Sequence, residues 1–385
     1  MVLSRLYEIE DFGVWGTFMA ILMIGKTIAC GGFHVCLMLP EEDAKAKDML
    51  AISYRFNWIT ILVNLAAILL LIYCAPSVVA SESVLLFIIA LPFAIFLEGR
   101  AQAAHSWLNR AGKYKEMSYA MIAQTLSTIF FQILFGWIGL EQNGLIIGTL
   151  IGELAMLIVM LKLANLPFFL SAPSQRLVTV FKEYKSFLTM GVTGNLVNNS
   201  SSQLPYIFFP NFFGEEITGQ LTMVQQRVLS APINFVSAAV SPVFFKEANT
   251  AHLAQDGSLS KLVLRLNSIM WAMIIIPVVA IVFFGPDIFA FVLGEKWRVA
   301  GEYAQWLAPL MGVRFVTHPL SYLVDIKQRL RAQLMYNSLL LLITIILFYE
   351  PFLQLSDFDT IKAYGVTFFL LQMCFLGYML HLRKD

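Results

Sequence analysis

Apolar positions run through this chain in long stretches, broken at intervals by short polar clusters. A helix needs about 20 mostly apolar residues to cross a hydrocarbon core, and about eleven stretches approach that length. They lie near 12–39, 56–74, 83–99, 117–139, 144–166, 186–209, 216–244, 266–292, 301–323, 333–350 and 361–380. Composition agrees with the pattern: 58% of residues are hydrophobic and 13% are charged. A soluble domain carries about 25% charged residues, so lipid must be the solvent for much of this surface. The expected fold class is an all-α integral membrane protein of about eleven transmembrane helices in two lobes.

Charge assigns sides to these spans. Lys45, Lys47 and Arg55, then Arg100, Arg110, Lys113 and Lys115, fall on one side of the alternation. Lys162, Arg176, Lys182 and Lys185 share that side, as do Lys246, Lys261, Arg265, Lys327, Arg329, Arg331, Arg383 and Lys384. The opposite connections hold few cations, chiefly Arg5, Lys296, Arg298 and Lys362. Cytoplasmic loops carry the excess of Lys and Arg, so the first set and the C-terminus are predicted to be cytoplasmic. An odd number of spans then places Met1 on the far side, as though one helix had been lost ahead of it.

The stretch APSQRLVTVFKEYK (172–185) is basic and amphipathic, and reads as a linker helix lying on the membrane surface. It divides the chain into an N-terminal lobe over 1–166, a linker over 167–185 and a C-terminal lobe over 186–385. A weak repeat supports this division. Phe12-Gly13 is echoed by Phe213-Gly214, and thirteen residues after each glycine stands a cation, Lys26 and Arg227. Internal duplication is common among membrane transporters.

Four segments carry a family resemblance. SRLYEIEDFGVWG (4–16), GRAQAAHSWLNRAGKYKEMS (99–118), GQLTMVQQRVLSAP (219–232) and LGEKWRVAGEYAQWLAP (293–309) are similar to polysaccharide-biosynthesis flippases of the O-antigen and capsule type. These belong to the multidrug/oligosaccharidyl-lipid/polysaccharide exporter superfamily. The resemblance implies two lobes in the manner of multidrug exporters, with a further helix before the 4–16 segment. It also implies alternating access and a bacterial cytoplasmic (inner) membrane location. The cargo it implies is an undecaprenyl-pyrophosphate-linked oligosaccharide. A polysaccharide polymerase and chain-length machinery are the partners that follow, beside membrane lipid, with no nucleic acid and no cofactor.

Against that background the charged and amide residues inside spans become candidates. Lys26 lies about 21 Å along a helix from Pro40, near mid-bilayer, and Arg227 is its counterpart in the other half. A charge there costs roughly 2.5–3.5 kcal/mol, so each must face water or a partner. In the family context they would attract the carrier pyrophosphate, Arg227 by a fork of hydrogen bonds and Lys26 as a point charge. Arg314 is a third such cation, with a structural pair to an acid as the competing expectation. Asn195, Asn198, Asn199 and Gln203 in the sixth span, with Gln226 in the seventh, are expected to meet sugar hydroxyls or to bond neighbouring helices. Glu153 is the candidate for ion coupling, while Glu98 is expected at the membrane interface. Gly13, Gly16, Gly191, Gly194, Pro205 and Pro232 are potential hinges or plain packing points.

Enzymatic readings find little purchase. Asp357-Phe358-Asp359 matches a metal-chelating DxD pattern, but it falls in an outside connection. The cysteines and histidines show no metal-ligand spacing, and no phosphate-cradling GxxxxGK[ST] loop occurs. The longest external connection is expected near 285–301, too short for a catalytic domain. A drug or cation antiporter of the same fold is the alternative function, and a membrane polysaccharide polymerase is the third.

Overall fold

The computed structural model of the chain describes residues 2–37, 40, 42–74, 82–170, 173–186, 192–254, 256–327, 329–348 and 355–383. Gly191 lies outside the described residues, as do 75–81 and 349–354. The described chain is helical, with no strand. Two short helices and a long one open it: α1 (Leu3–Leu6), α2 (Ile9–Ile28) and α3 (Phe33–Cys36). Then come α4 (Asp43–Cys74), α5 (Glu82–Arg110), α6 (Tyr114–Ile138), α7 (Glu141–Ala164) and the linker helix α8 (Ser174–Ser186). They are followed by α9 (Val192–Phe213), α10 (Glu215–Thr222), a π-helical stretch (Met223–Leu229) and α11 (Ser230–Ala254). The series ends with α12 (Ser258–Leu293), α13 (Arg298–Leu320), α14 (Tyr322–Ile326), α15 (Leu330–Phe348) and α16 (Asp357–Leu382).

Each apolar stretch read from the sequence overlaps a helix among the described residues. The one near 12–39 divides into α2 and α3, because Gly31 and Gly32 turn the chain at φ of +56° and +74°, so no single helix joins Lys26 to Pro40. Among the described residues, eight helices are long and apolar enough to cross a membrane. Val192–Phe213, Ser230–Ala254 and Arg298–Leu320 fall short of that measure, because amides, hydroxyls and charges interrupt them. The chain is a multi-pass membrane protein, and exposed Leu126, Phe130, Ile276 and Phe283 are suited to lipid contact.

By internal contact the chain forms two compact units. In the first, residues 6–203 with Val2, α6 and α7 pack as a hairpin, α2 lies against α5 and α7, and α8 lies on α4. The hairpin turns at Gly139, whose φ of +78° suits glycine alone among the residues there, and Leu140 N–H closes it on Phe135 O at 3.0 Å. Gly144, Gly148 and Gly152 form one ridge of α7 at four-residue spacing. A Cβ on Gly148 would stand 2.6 Å from Gln132 Cγ, so only a bare backbone lets α6 come this close. Leu177 and Val180 of α8 are buried against Phe33, Met49 and Phe56. Lys45 Nζ bonds Glu183 Oε1 at 2.7 Å across the same seam and holds the Glu183 carboxyl below the usual carboxylate range.

The second unit, residues 204–385 with Leu3–Arg5, is built around α13, which packs on α11, α12 and α16. Ser4 is buried there: its hydroxyl donates to Leu293 O at 3.1 Å, and Trp297 Nε1 donates to Ser4 O at 3.1 Å. Helix α12 runs on to Leu293, with non-helical angles only at Phe284 (φ −124°, ψ 15°). The external connection expected near 285–301 is therefore a single turn, Glu295–Trp297, because Pro286 bends the helix without ending it. The DxD acids serve the start of α16: Ser356 Oγ accepts from Asp359 N–H at 3.1 Å, and Asp357 accepts the Tyr303 hydroxyl at 2.6 Å.

Helices α12 and α13 meet at Gly285 and Gly301, where a Cβ on Gly301 would lie 2.5 Å from Gly285 O and from Pro286 Cα. Both are backbone atoms and neither can move aside. Gly301→Ala is expected to destabilise the protein by about 1–3 kcal/mol, read as a lower melting temperature in detergent, with no such change for Gly194→Ala. Acidification should loosen α8. The Glu183 carboxyl is depressed in the folded state, so its contribution is present above the ordinary carboxylate pKa and is lost as pH falls through the folded value. The protection factors of the α8 amides, with the intrinsic slowing of exchange in acid divided out, should fall between pH 7 and pH 3 in wild type more than in Glu183→Gln.

Candidate functional site

Four helices of the first unit converge on one buried polar cluster. Lys26, near the end of α2, pairs with Glu98 of α5, Nζ to Oε1 at 3.5 Å. Glu98 is 9% exposed and Glu153 of α7 is 3% exposed. Glu153 Oε1 accepts from Gln124 Nε2 of α6 at 2.8 Å, and its carboxylate lies within electrostatic reach of both Lys26 and Glu98. Two acids thus share one ammonium, and the cluster is one positive charge short when both are ionised. Glu98, expected at the membrane interface, is here buried against other helices. Helix α5 extends three turns beyond it to Arg110, so a position near the end of the apolar run is interior to the helix.

A second polar set joins the same helices nearer the start of α2. Trp15 Nε1 donates to Thr149 Oγ1 at 3.0 Å, Gln132 Nε2 donates to Leu145 O at 3.0 Å, and Tyr7 OH donates to Gln132 O at 2.6 Å. Gln124 and Gln132 escaped sequence reasoning, as did the cluster role of Glu98. The glycine ridge beside Glu153 was the available signal, since it marks where α6 must approach.

The polar run on α9 divides. Asn199 Nδ2 donates to Thr27 Oγ1 of α2 at 2.7 Å, which is interhelical bonding of the ordinary kind. Ser201 and Ser202 bond back to the carbonyls of Asn198 and Asn199 at 2.7 and 3.0 Å. Asn195 and Asn198 are exposed, and Gln203 is half-buried.

In the second unit Gln225, Gln226 and Arg227 sit on the π-helical stretch Met223–Leu229. Pro232 explains the widening: it lacks an N–H for the preceding turn and crowds the carbonyl four residues back. Ser230 N–H and Oγ both turn to Gln225 O instead, the latter at 2.6 Å. Tyr206 OH donates to Gln225 Oε1 at 2.7 Å. Such π turns are frequent at functional sites, and no local residue pattern announces them. Arg227 and Gln226 are half-buried.

Arg314 of α13, also half-buried, acts electrostatically on the hydroxyls of Tyr206 and Tyr336. Tyr336 OH bonds Gln372 Oε1, and Gln372 Nε2 donates to Thr317 Oγ1 at 2.6 Å, so α13, α15 and α16 share one polar chain. The Tyr336 ring stacks on Phe375 with centroids 4.1 Å apart. Phenols thus stand within electrostatic reach of Arg314, where the sequence suggested an acid.

Comparison with known proteins places this architecture. The family described as "Polysaccharide biosynthesis protein" matches residues 2–302. No curated protein sequence matches the chain. Among solved structures, an inward-facing multidrug resistance MATE transporter of the MOP superfamily is similar at a TM-score of 0.73 and 14% identity, covering 100% of this chain and 94% of that one. The lipid II flippase MurJ in an inward closed conformation is similar at a TM-score of 0.72 and 12% identity, covering 98% and 84%. A MATE transporter in a bent conformation follows at 0.58 and 13%, covering 98% and 90%. At such identities the likeness is one of fold.

Lys26→Met is expected to lower stability by roughly 1–3 kcal/mol, less than the ~3–5 of a fully buried pair because the Lys26 side chain is 25% exposed. Adding Glu98→Gln should recover most of that loss, since it removes the orphaned carboxylate. A double-mutant cycle on thermal unfolding in detergent measures the coupling, and additive losses would mean that the pair does not form.

Proposed function

The chain belongs to the polysaccharide biosynthesis protein family, and on that premise we propose that it is a flippase for an undecaprenyl-pyrophosphate-linked oligosaccharide. Its location is the bacterial cytoplasmic membrane, with the C-terminus inside. The family match over 2–302 is the observation that carries the reading. A fold in common with a lipid II flippase supports it. Arg227, on a half-buried π turn beside Gln226, is the proposed ligand of the pyrophosphate. A guanidinium suits that role because its fork matches phosphate oxygens in pairs. Arg314 and the exposed amides Asn195 and Asn198, with Gln203, are proposed to meet sugar and phosphate oxygens during passage.

Lys26 takes a different part from a free anion receptor. Its pairing with Glu98 makes it the counter-charge of an acidic cluster, and an anion would have to displace a carboxylate to reach it. Glu153, in the same cluster, is the proposed site of ion coupling: one carboxylate in excess over the ammonium is a place for a proton or a monovalent cation. That excess is also what a drug or cation antiporter would use, so the antiporter remains the second reading. Polymerase partners and chain-length machinery belong to the flippase reading alone.

Reconstituted in vesicles, the protein should move an undecaprenyl-pyrophosphate oligosaccharide between leaflets. Arg227→Gln should slow this by at least about tenfold, the loss of one charge-assisted phosphate contact of ~1.5–3 kcal/mol. Glu153→Gln should abolish the response to an imposed ion gradient while leaving downhill movement intact. Absence of lipid-linked transport, with gradient-driven drug uptake in its place, would select the antiporter.

A further inference from the structure

The sequence sets Arg100 among the cytoplasmic connections, yet it lies inside α5 and is 0% exposed. Four aromatic rings box it in. Its Cζ stands 3.8 Å from the Tyr54 ring centroid, 5.2 Å from Phe96, and 5.6 Å from both Trp58 and Phe168. Tyr54 and Trp58 come from successive turns of α4, Phe96 from the turn of α5 before Arg100, and Phe168 from the connector between α7 and α8. Rings satisfy the faces of a guanidinium through their quadrupoles. They do nothing for its five N–H donors, which lie in its plane.

The Tyr54 hydroxyl interacts with the guanidinium but leaves most of these donors without an acceptor. Among the described residues, none of Nε, Nη1 and Nη2 meets one in hydrogen-bonding geometry. Among the described residues, both amide atoms of Asn57 are buried without a hydrogen-bond partner as well. Asn57 belongs to the same place: its Nδ2 lies 2.2 Å from where a Cβ on Gly99, the residue before Arg100, would stand. The box therefore holds one positive charge and a surplus of donors. A solvated guanidinium would surrender much hydration for so little, because an unpaired buried charge is among the costliest groups in a protein. What completes such a set is a small oxyanion, and a phosphate group offers paired oxygens to an Arg fork.

The wall contributed by Phe168 is the one with freedom to open. Asn165, at φ +53°, reverses the chain at the end of α7, with Leu166 N–H closing on Leu161 O at 3.0 Å. The connector then lays Phe168 against Phe96 and Arg100, and Phe169 against Trp58. Phe168 is 38% exposed and Phe169 is 69% exposed while stacked on Trp58 at 5.7 Å. The other three rings stand on long helices.

We propose that the Arg100 box, completed by Tyr54 and Asn57 and covered by Phe168, is a phosphate-binding site separate from Lys26 and Arg227. The phosphate arrives either on a membrane phospholipid headgroup or free in solution. This assignment does not depend on the nature of the transported molecule.

Trp58 reports on the site. The protein in dodecyl maltoside micelles and phosphate-free buffer would be titrated with inorganic pyrophosphate, and separately with short-chain phosphatidylglycerol. The signal of interest is the fluorescence difference between wild type and Trp58→Phe. The expected result is a saturable Trp58 change in at least one arm, weakened at least about tenfold in Arg100→Gln and several-fold in Tyr54→Phe. Pyrophosphate alone producing it identifies the soluble source, and phosphatidylglycerol alone identifies the lipid. Phe168→Ala keeps the cation and opens the cover, so it should speed the response several-fold. No change in either arm, a change that survives Arg100→Gln, or a Phe168→Ala response with unaltered rate and affinity would each overturn the proposal. Should Arg100→Gln fail to fold, Tyr54→Phe and Phe168→Ala decide it.

Discussion

A polar group inside a hydrocarbon-spanning helix has no water to turn to, so the protein must supply its partner from another helix. Much of the interior of the first unit follows from that constraint. Lys26 cannot stand alone on α2, and Glu98 on α5 answers it. Glu153 on α7 needs a donor, and Gln124 on α6 provides one. Trp15 and Gln132 find Thr149 and the carbonyl of Leu145 in the same way. Each bond ties two helices whose outer faces are apolar and would otherwise be free to slide against lipid of equal polarity. In water such bonds add little to packing. In a bilayer they are what fixes which faces meet.

Close approach makes the bonds reachable. The ridge of Gly144, Gly148 and Gly152 draws α6 onto α7 until a Cβ at Gly152 would sit 3.0 Å from the carbonyl of Gln124. That separation is why a glutamine of ordinary reach bonds a glutamate on the next helix. Gly285 and Gly301 do the same for α12 and α13. The glycines thus act on the polar cluster indirectly, by setting the distance over which it must close.

The helices themselves were legible because apolar runs of this length admit no other structure in lipid. The amphipathic linker was legible because its apolar positions recur at helical spacing in a basic context, and Leu177 and Val180 are the positions it buries. The charges beside the runs were less so. Glu98 and Arg100 follow the apolar part of α5 and read as its exit into the cytoplasm. The helix continues to Arg110, whose guanidinium bonds Asp43 and the carbonyls of Leu37 and Pro40. Hydropathy locates the apolar window, but helix length is decided by what the following turns can bury. Likewise nothing local distinguishes the π turn around Arg227 from α-helix. It follows from Pro232 together with a serine hydroxyl and amide that both reach the same carbonyl.

An ion pair such as Lys26–Glu98 contributes little to stability against an apolar pair of equal volume, because desolvation offsets most of the attraction. Its distinctive property lies elsewhere. An apolar contact is lost once its surfaces part, whereas an ammonium within reach of two carboxylates can exchange one for the other at small net cost. Lys26 stands in that position, paired with Glu98 and within electrostatic reach of Glu153. If Glu153 couples transport to an ion as proposed, a proton or cation arriving at either acid would change which of them the lysine prefers, and with it the relative pull on α5 and α7. On the proposed coupling role of Glu153, the arrangement that satisfies a buried charge would also make the packing of three helices responsive to one ion.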